Sequence, residues 1–298
     1  MISSRFVTAR ALDGLRLAGT LVLPSSQAEH AVVFVHGGGV TREEGGFFTR
    51  LADGLGEAGV ASLRFDLRGH GESEGRQEDL PLTAHLNDIR VALEEARTLT
   101  GATMVSLLGA SFGGGLCAYY AAKRPEELTR LVLLNPQLKY KDRYIDQKPH
   151  WHNDRLDAAA AEQLRETGYL QHSPTVRQGR AFLNEVFWIS PFAVLGEITA
   201  PTLIVHGTKD TFVPIERSRE AVTHLRAKHE LIEIEGSQHG FAVHDDPRYA
   251  DPQSQEWQAF VIQTVVAWVR DTEDAPTWPV VPQRLRAAPE APADSPTV

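Results

Sequence analysis

Short, almost uninterrupted apolar runs recur along this chain, and they constrain its fold more than any other feature. They fall at residues 31–35 (AVVFV), 61–65 (ASLRF), 104–108 (MVSLL), 131–134 (LVLL) and 202–205 (TLIV). A strand that is apolar on both faces belongs in a parallel sheet covered by helices on both sides. Between the runs, apolar residues step by three or four: Leu82, Leu86, Ile89, Leu93 and Ala96, and later Trp257, Phe260, Val261, Thr264, Val265 and Trp268. That spacing predicts amphipathic helices. Alternating strand and helix builds right-handed βαβ units in an open sheet. Residues 6–9 and 16–23 flank Asp13-Gly14, a hairpin signal, so the sheet is expected to begin with an antiparallel pair. With a further strand at 230–234, the expected architecture is an α/β fold, a mostly parallel central sheet of about eight strands with helices on both faces.

No strand pattern lies between Asn135 and Thr202, only helical stretches such as 157–167 and 176–186. A loop of that length is improbable inside a compact domain, so 138–199 is expected to be a helical cap. The sheet core then comprises 1–137 and 200–271. The segment 275–298 holds six of the seventeen prolines, which makes 272–298 a Pro-rich tail, expected to be disordered. The cap is rich in aromatics (Tyr140, Tyr144, Trp151, Tyr169, Phe182, Phe187, Trp188, Phe192), of which Trp151, Phe187 and Trp188 are the leading candidates for a substrate pocket. Their alternative role is to glue the cap to the core.

Composition excludes several function classes. A net charge of −9 argues against binding a phosphate backbone, so no nucleic acid partner is expected. The single cysteine, Cys117, can form no intramolecular disulfide and favours a reducing compartment. The start, MISSRFVTAR, has no apolar leader, and no apolar run approaches eighteen residues; a cytoplasmic protein without a membrane span is expected. The motifs do not specify an oligomeric state, and a homodimer stays open.

Chemistry concentrates at Gly109-Ala-Ser111-Phe-Gly113, which follows the strand 104–108 and leads into a helical pattern. Small flanking residues let the backbone turn sharply enough to present the Ser111 hydroxyl above the sheet edge. Gly71-Glu-Ser73-Glu-Gly75 matches the same spacing without strand or helix beside it and is expected to be an ordinary turn. A serine hydroxyl needs a base, and the base needs an orienting acid. Asp210 lies just beyond the strand 202–205 and His239 just beyond 230–234, where catalytic groups collect in open α/β sheets. Asp245 or Asp246 could replace Asp210, and His206 or His244 could replace His239. His36 is expected to brace its own loop. His150, His152 and Asp154 lack a full metal-ligand set, and Gly113-Gly-Gly115 lacks the Lys-Ser/Thr of a phosphate loop, so no metal and no cofactor are expected.

The order Ser111, Asp210, His239, together with the sharp strand-to-helix turn, resembles the α/β-hydrolase fold family over about residues 6–269. The resemblance implies that His36-Gly-Gly-Gly39 is an oxyanion loop, with the backbone N–H groups of Gly38 and Phe112 as donors. It also implies that Asp66-Leu-Arg-Gly-His-Gly-Glu-Ser73 mainly shapes the fold. A serine in the nucleophile position implies a serine esterase branch, similar to feruloyl or cinnamoyl esterases or to lysophospholipase-like carboxylesterases, acting on a small-molecule acyl ester without a cofactor. Two other functions stay open: a thioesterase or acyltransferase working on CoA- or carrier-bound acyl groups, and a non-catalytic ligand receptor on the same scaffold.

Overall fold

The computed structural model describes residues 1–244 and 246–270; the Pro-rich tail lies outside the described residues. Eight strands form one sheet: β1 (Ser3–Arg10), β2 (Arg16–Leu23), β3 (His30–Val35), β4 (Ala61–Phe65), β5 (Met104–Ala110), β6 (Leu131–Leu134) and, after four short strands described below, β11 (Thr202–Gly207) and β12 (His229–Ile234). Their spatial order is β1-β2-β4-β3-β5-β6-β11-β12. β1 and β2 pair antiparallel, as does β2 with β4, and every pairing from β4 to β12 is parallel. The opening hairpin turns at Gly14, whose φ of 89° suits a residue without Cβ.

Side chains alternate between two apolar layers because the strands are buried on both faces. Val33, Val35, Leu107 and Leu133 face α2 (Leu82–Thr100) and α3 (Ser111–Lys123). Val32, Phe34, Leu108 and Leu134 face α1 (Phe47–Glu57) and the final helix, α7 (Pro252–Arg270), whose Val261, Val265 and Trp268 are fully buried. A fully buried side chain of this kind is worth about 1.5–3 kcal/mol. α6 (Glu216–Val222) links β11 to β12.

The cap differs from the expectation of helices alone. It contains two β-hairpins, β7 (Trp151–His152) with β8 (Arg155–Leu156) and β9 (Tyr169–Ser173) with β10 (Val176–Gly179), beside α4 (Ala158–Thr167) and α5 (Arg180–Glu185). The helical reading of 176–186 fails in its first turn, where Arg177 N–H donates to Gln77 Oε1 at 3.0 Å and Gln77 Nε2 donates to the Thr175 carbonyl at 3.1 Å. Tertiary hydrogen bonds to the body thus override weak local propensity. Glu185 adds a second tie, accepting from Thr83 N–H at 3.0 Å and Thr83 Oγ1 at 2.8 Å on the first turn of α2.

Candidate active site

β5 runs straight into α3 with no intervening residue, and Ser111 makes the turn at φ 50°, a left-handed conformation that is costly for a side chain with Cβ. Two glycines let the turn form. A Cβ on Gly109 would sit 2.5 Å from the Gly113 carbonyl oxygen, and one on Gly113 would sit 2.4 Å from that of His36. The second contact means that α3 presses directly on the loop after β3. Ser111 therefore stands at the helix N-terminus, where unpaired N–H groups and the helix dipole favour negative charge.

The loop 36–39 is held from both sides. His36 Nδ1–H donates to the Gly37 carbonyl at 2.7 Å and Nε2 accepts from Leu67 N–H at 2.9 Å, while burial and the neighbouring His70 push its pKa down to about 3. It is a brace and no base. Gly37 N–H is committed to the Glu44 carboxylate, whereas a Cβ on Gly38 would touch Phe112 Cβ at 3.6 Å. Gly38 thus lies against the Phe112 side chain, with Gly37 against that of Ser111. Glu44, which the sequence pattern did not single out, adopts φ 44°, and burial raises its carboxyl pKa.

Beyond β11, Asp210 is 6% exposed and its carboxylate is fully engaged. Oδ1 accepts from the N–H groups of Phe212 and Val213 at 2.8 and 2.9 Å, and His239 Nδ1–H donates to Oδ2 at 2.6 Å. His206 faces Oδ2 at 3.4 Å while its Nε2–H donates to the Val213 carbonyl at 2.9 Å. Burial pushes the Asp210 carboxyl up, but hydrogen bonds from His206 and His239 outweigh it and hold the group below its ordinary 3.8. An ionised acid on Nδ1 leaves Nε2 of His239 free to accept a proton. Ser111, His239, Gly38 and Phe112 border one cavity of about 290 Å³.

The competing residues have other work. Ser73 accepts from Ala18 N–H at 2.9 Å and donates to the Asp66 carbonyl at 2.6 Å, which pins the 66–73 turn to β2. Arg68 is clamped in the same turn, donating to both oxygens of buried Asp88 at 2.6 Å. Asp246 caps a turn through Ala250 and Asp251 N–H, and Asp245 lies outside the described residues. Asp154 pairs with Lys141 at 2.8 Å. Among the described residues no group of three or more His, Cys, Asp or Glu side chains is placed to hold a metal ion.

The pocket residues expected from the cap need correction. Trp151 packs on Phe187 with ring centroids 5.9 Å apart, Trp188 is 85% exposed, and none of the three lines the Ser111 cavity. Of the eight cap aromatics, Tyr144 and Phe182 line it, joined by Val176 and Gln178 from β10. Val176 and Gln178 reach the cavity because the β9–β10 hairpin is tied to Gln77, a placement that no local spacing encodes.

Fold and site together define an α/β hydrolase, an enzyme of the esterase–lipase type. More particularly, the chain belongs to the family described as serine aminopeptidase S33 (Hydrolase_4), which matches residues 26–246. It is 26% identical over 285 residues to a monoacylglycerol lipase of Mycolicibacterium smegmatis, covering 87% of this chain and 94% of that protein. Protein ABHD8 of Mus musculus is 28% identical over 71% of this chain, which spans about half (52%) of that relative. Est1E of Butyrivibrio proteoclasticus, solved with ferulic acid bound, superposes with a TM-score of 0.70 at 22% identity, covering 87% of this chain and 99% of that one. Among the described residues no helix is long and apolar enough to cross a membrane.

Proposed function

We propose that this enzyme hydrolyses carboxylic esters through a Ser111–His239–Asp210 triad. The observation that carries the reading is the 2.6 Å His239–Asp210 hydrogen bond at a cavity bordered by both Ser111 and His239. His239 Nε2 removes the Ser111 proton as Oγ attacks the ester carbonyl, and Asp210 stabilises the imidazolium that forms. The oxyanion is received by the N–H groups of Gly38 and Phe112, with the N-terminus of α3 behind them. His239 then protonates the departing alkoxide, and water, activated by the same imidazole, releases the acid.

Ester cleavage is favoured over removal of an N-terminal amino acid by the cavity wall. A peptide's terminal ammonium needs a carboxylate partner; among the described residues no Asp or Glu lines this cavity, whereas Arg143 and Arg177 do, and Glu44, which lines the adjoining cavity at Ser111, is taken up by Gly37 N–H. The near full-length similarity to a monoacylglycerol lipase points the same way. Fluorophosphonate labelling read by intact mass, run beside p-nitrophenyl esters of graded length and the matching acyl-CoAs, tests the reading. One adduct on wild type, none on Ser111→Ala, and turnover of the oxygen esters is the expected result. No adduct on wild type, or an equal adduct on Ser111→Ala, refutes it.

A further inference from the structure

The wall of the Ser111 cavity carries two unused donors and, among the described residues, no acid. Gln137, in the loop after β6, is 8% exposed and fixed beside the nucleophile, since its N–H donates to the Ser111 carbonyl at 2.8 Å. Its side-chain oxygen accepts from Lys139 N–H at 3.1 Å, whereas Nε2 has no partner among the described residues and is not sealed off. With so little of the residue exposed and the side chain in the cavity wall, that NH2 opens on the cavity. Arg143, in the helical turn Asp142–Asp146 near the start of the cap, lines the same cavity. Its guanidinium makes no hydrogen bond or ion pair among the described residues and is likewise not sealed off.

The acids that could neutralise Arg143 are occupied. Asp142 accepts from Arg217 at 2.7 Å and from Gln147 Nε2 at 3.0 Å, and Asp146 pairs with Lys141 at 2.7 Å. Arg177, the other cation of the wall, already faces Glu78 at 3.8 Å and lies over the Tyr169 ring. Lys148 adds to the positive side: burial, then the Arg143 charge, hold its pKa below the ordinary value, and burial with both cations holds His172 at about 4. A cation kept without a counter-ion in a wall shared with Phe112, Tyr144 and Phe182 is poised for an anion. Two groups that can only donate suit a ligand that can only accept, which is a carboxylate. Its place is this cavity and not the second one at Ser111 and His239, about 140 Å³, where the Glu44 carboxylate would repel it. The smaller space is then left to the alcohol half of the ester.

We propose that Gln137 and Arg143 form a subsite for a carboxylate on the acyl half of the ester, making hemiesters of short dicarboxylic acids the preferred substrate class. The proposal rests on the ester-hydrolase reading above. Its test compares the monomethyl esters of succinic, glutaric, adipic and pimelic acid with the matching ω-carboxamides, which have nearly the same shape and no charge. At one chain length kcat/KM of the acid should exceed that of the amide about tenfold or more, the scale of a charge-assisted hydrogen bond. Arg143→Gln, which removes the charge, and Gln137→Met, which removes the NH2, should each bring that ratio towards one. Both esters meet the same protein, so a folding loss cancels in the ratio, and fluorophosphonate labelling reports the active fraction of each variant. A ratio below about threefold at every chain length, or one that survives both substitutions, overturns the subsite while leaving ester hydrolysis standing. Failure of every ester together with an unlabelled Ser111 overturns the hydrolase reading and the subsite with it.

Discussion

Replacing Asp210 with asparagine isolates what the acid does for His239, because the carboxamide keeps nearly the same shape. Its oxygen can still accept from Phe212 and Val213 N–H at 2.8 and 2.9 Å, so the turn after β11 should persist. The position of Oδ2, 2.6 Å from His239 Nδ1, is then filled by an NH2 that can only donate. Nδ1 must become the acceptor, the ring proton moves to Nε2, and His239 can no longer accept the Ser111 proton. The same exchange in other serine hydrolases lowers kcat about 10⁴-fold, four decades at about 1.36 kcal/mol each, or about 5 kcal/mol of transition-state stabilisation. Folding loses one charge-assisted hydrogen bond, about 1.5–3 kcal/mol. At about 2–4 °C per kcal/mol the unfolding midpoint should fall by about 3–12 °C. Steady-state p-nitrophenyl butyrate hydrolysis beside a thermal melt separates the two losses. A folded Asp210→Asn variant that kept kcat within tenfold of wild type would show that tautomer control by Asp210 is not what activates the base.

Other substitutions and conditions bear on separate links of the same reasoning. Ser73→Ala should cost about 1–3 kcal/mol by leaving Ala18 N–H unpaired, while a titration with a fluorophosphonate still finds a full complement of active sites. Gly113→Ala forces a methyl group to 2.4 Å from the His36 carbonyl oxygen; kcat should fall about 10²–10³-fold as α3 is pushed off the 36–39 loop, and unchanged turnover would mean that the loop is not an oxyanion loop. Trp188→Ala, at an 85% exposed position outside the cavity, should move stability by less than about 0.5 kcal/mol and leave KM as it is. Stability should fall as pH drops from 7 towards 4, because His85, His70, His172 and His36 all bind protons more readily unfolded than folded. A second acid loss should follow below the ordinary 3.8 of Asp210, whose folded pKa is depressed and whose contribution is present only above that range. Denaturant midpoints measured across pH 3–8 check both, and a midpoint independent of pH above 4 would contradict the buried neutral histidines.

All eight strands of the central sheet were legible in the chain: β3 to β6 and β11 because strands buried on both faces are apolar at nearly every position, and the exposed β1 with β2 because Asp13-Gly14 marks a hairpin. α1 was passed over, although Phe47, Phe48, Leu51, Ala52 and Leu55 carry the helical spacing that would have found it. The cap hairpins left no comparable mark. Their strands are two to five residues long, and β9 and β10 gain their pairing partners and their anchor on Gln77 only after folding.

By itself the amino-acid order determined the sheet, the strained serine turn and the loops that end β11 and β12, because backbone geometry ties each of these to a local residue pattern. Which acid would meet which histidine, and that Gly37 N–H would be taken by Glu44 and so leave Gly38 facing Phe112, were decided by tertiary contacts alone. The same holds for the cavity wall. Gln178 fell inside the stretch 176–186 that reads as helix. Only the packing of the β9–β10 hairpin on Gln77 brings it into the wall of the Ser111 cavity, since burial depends on what arrives from elsewhere in the chain.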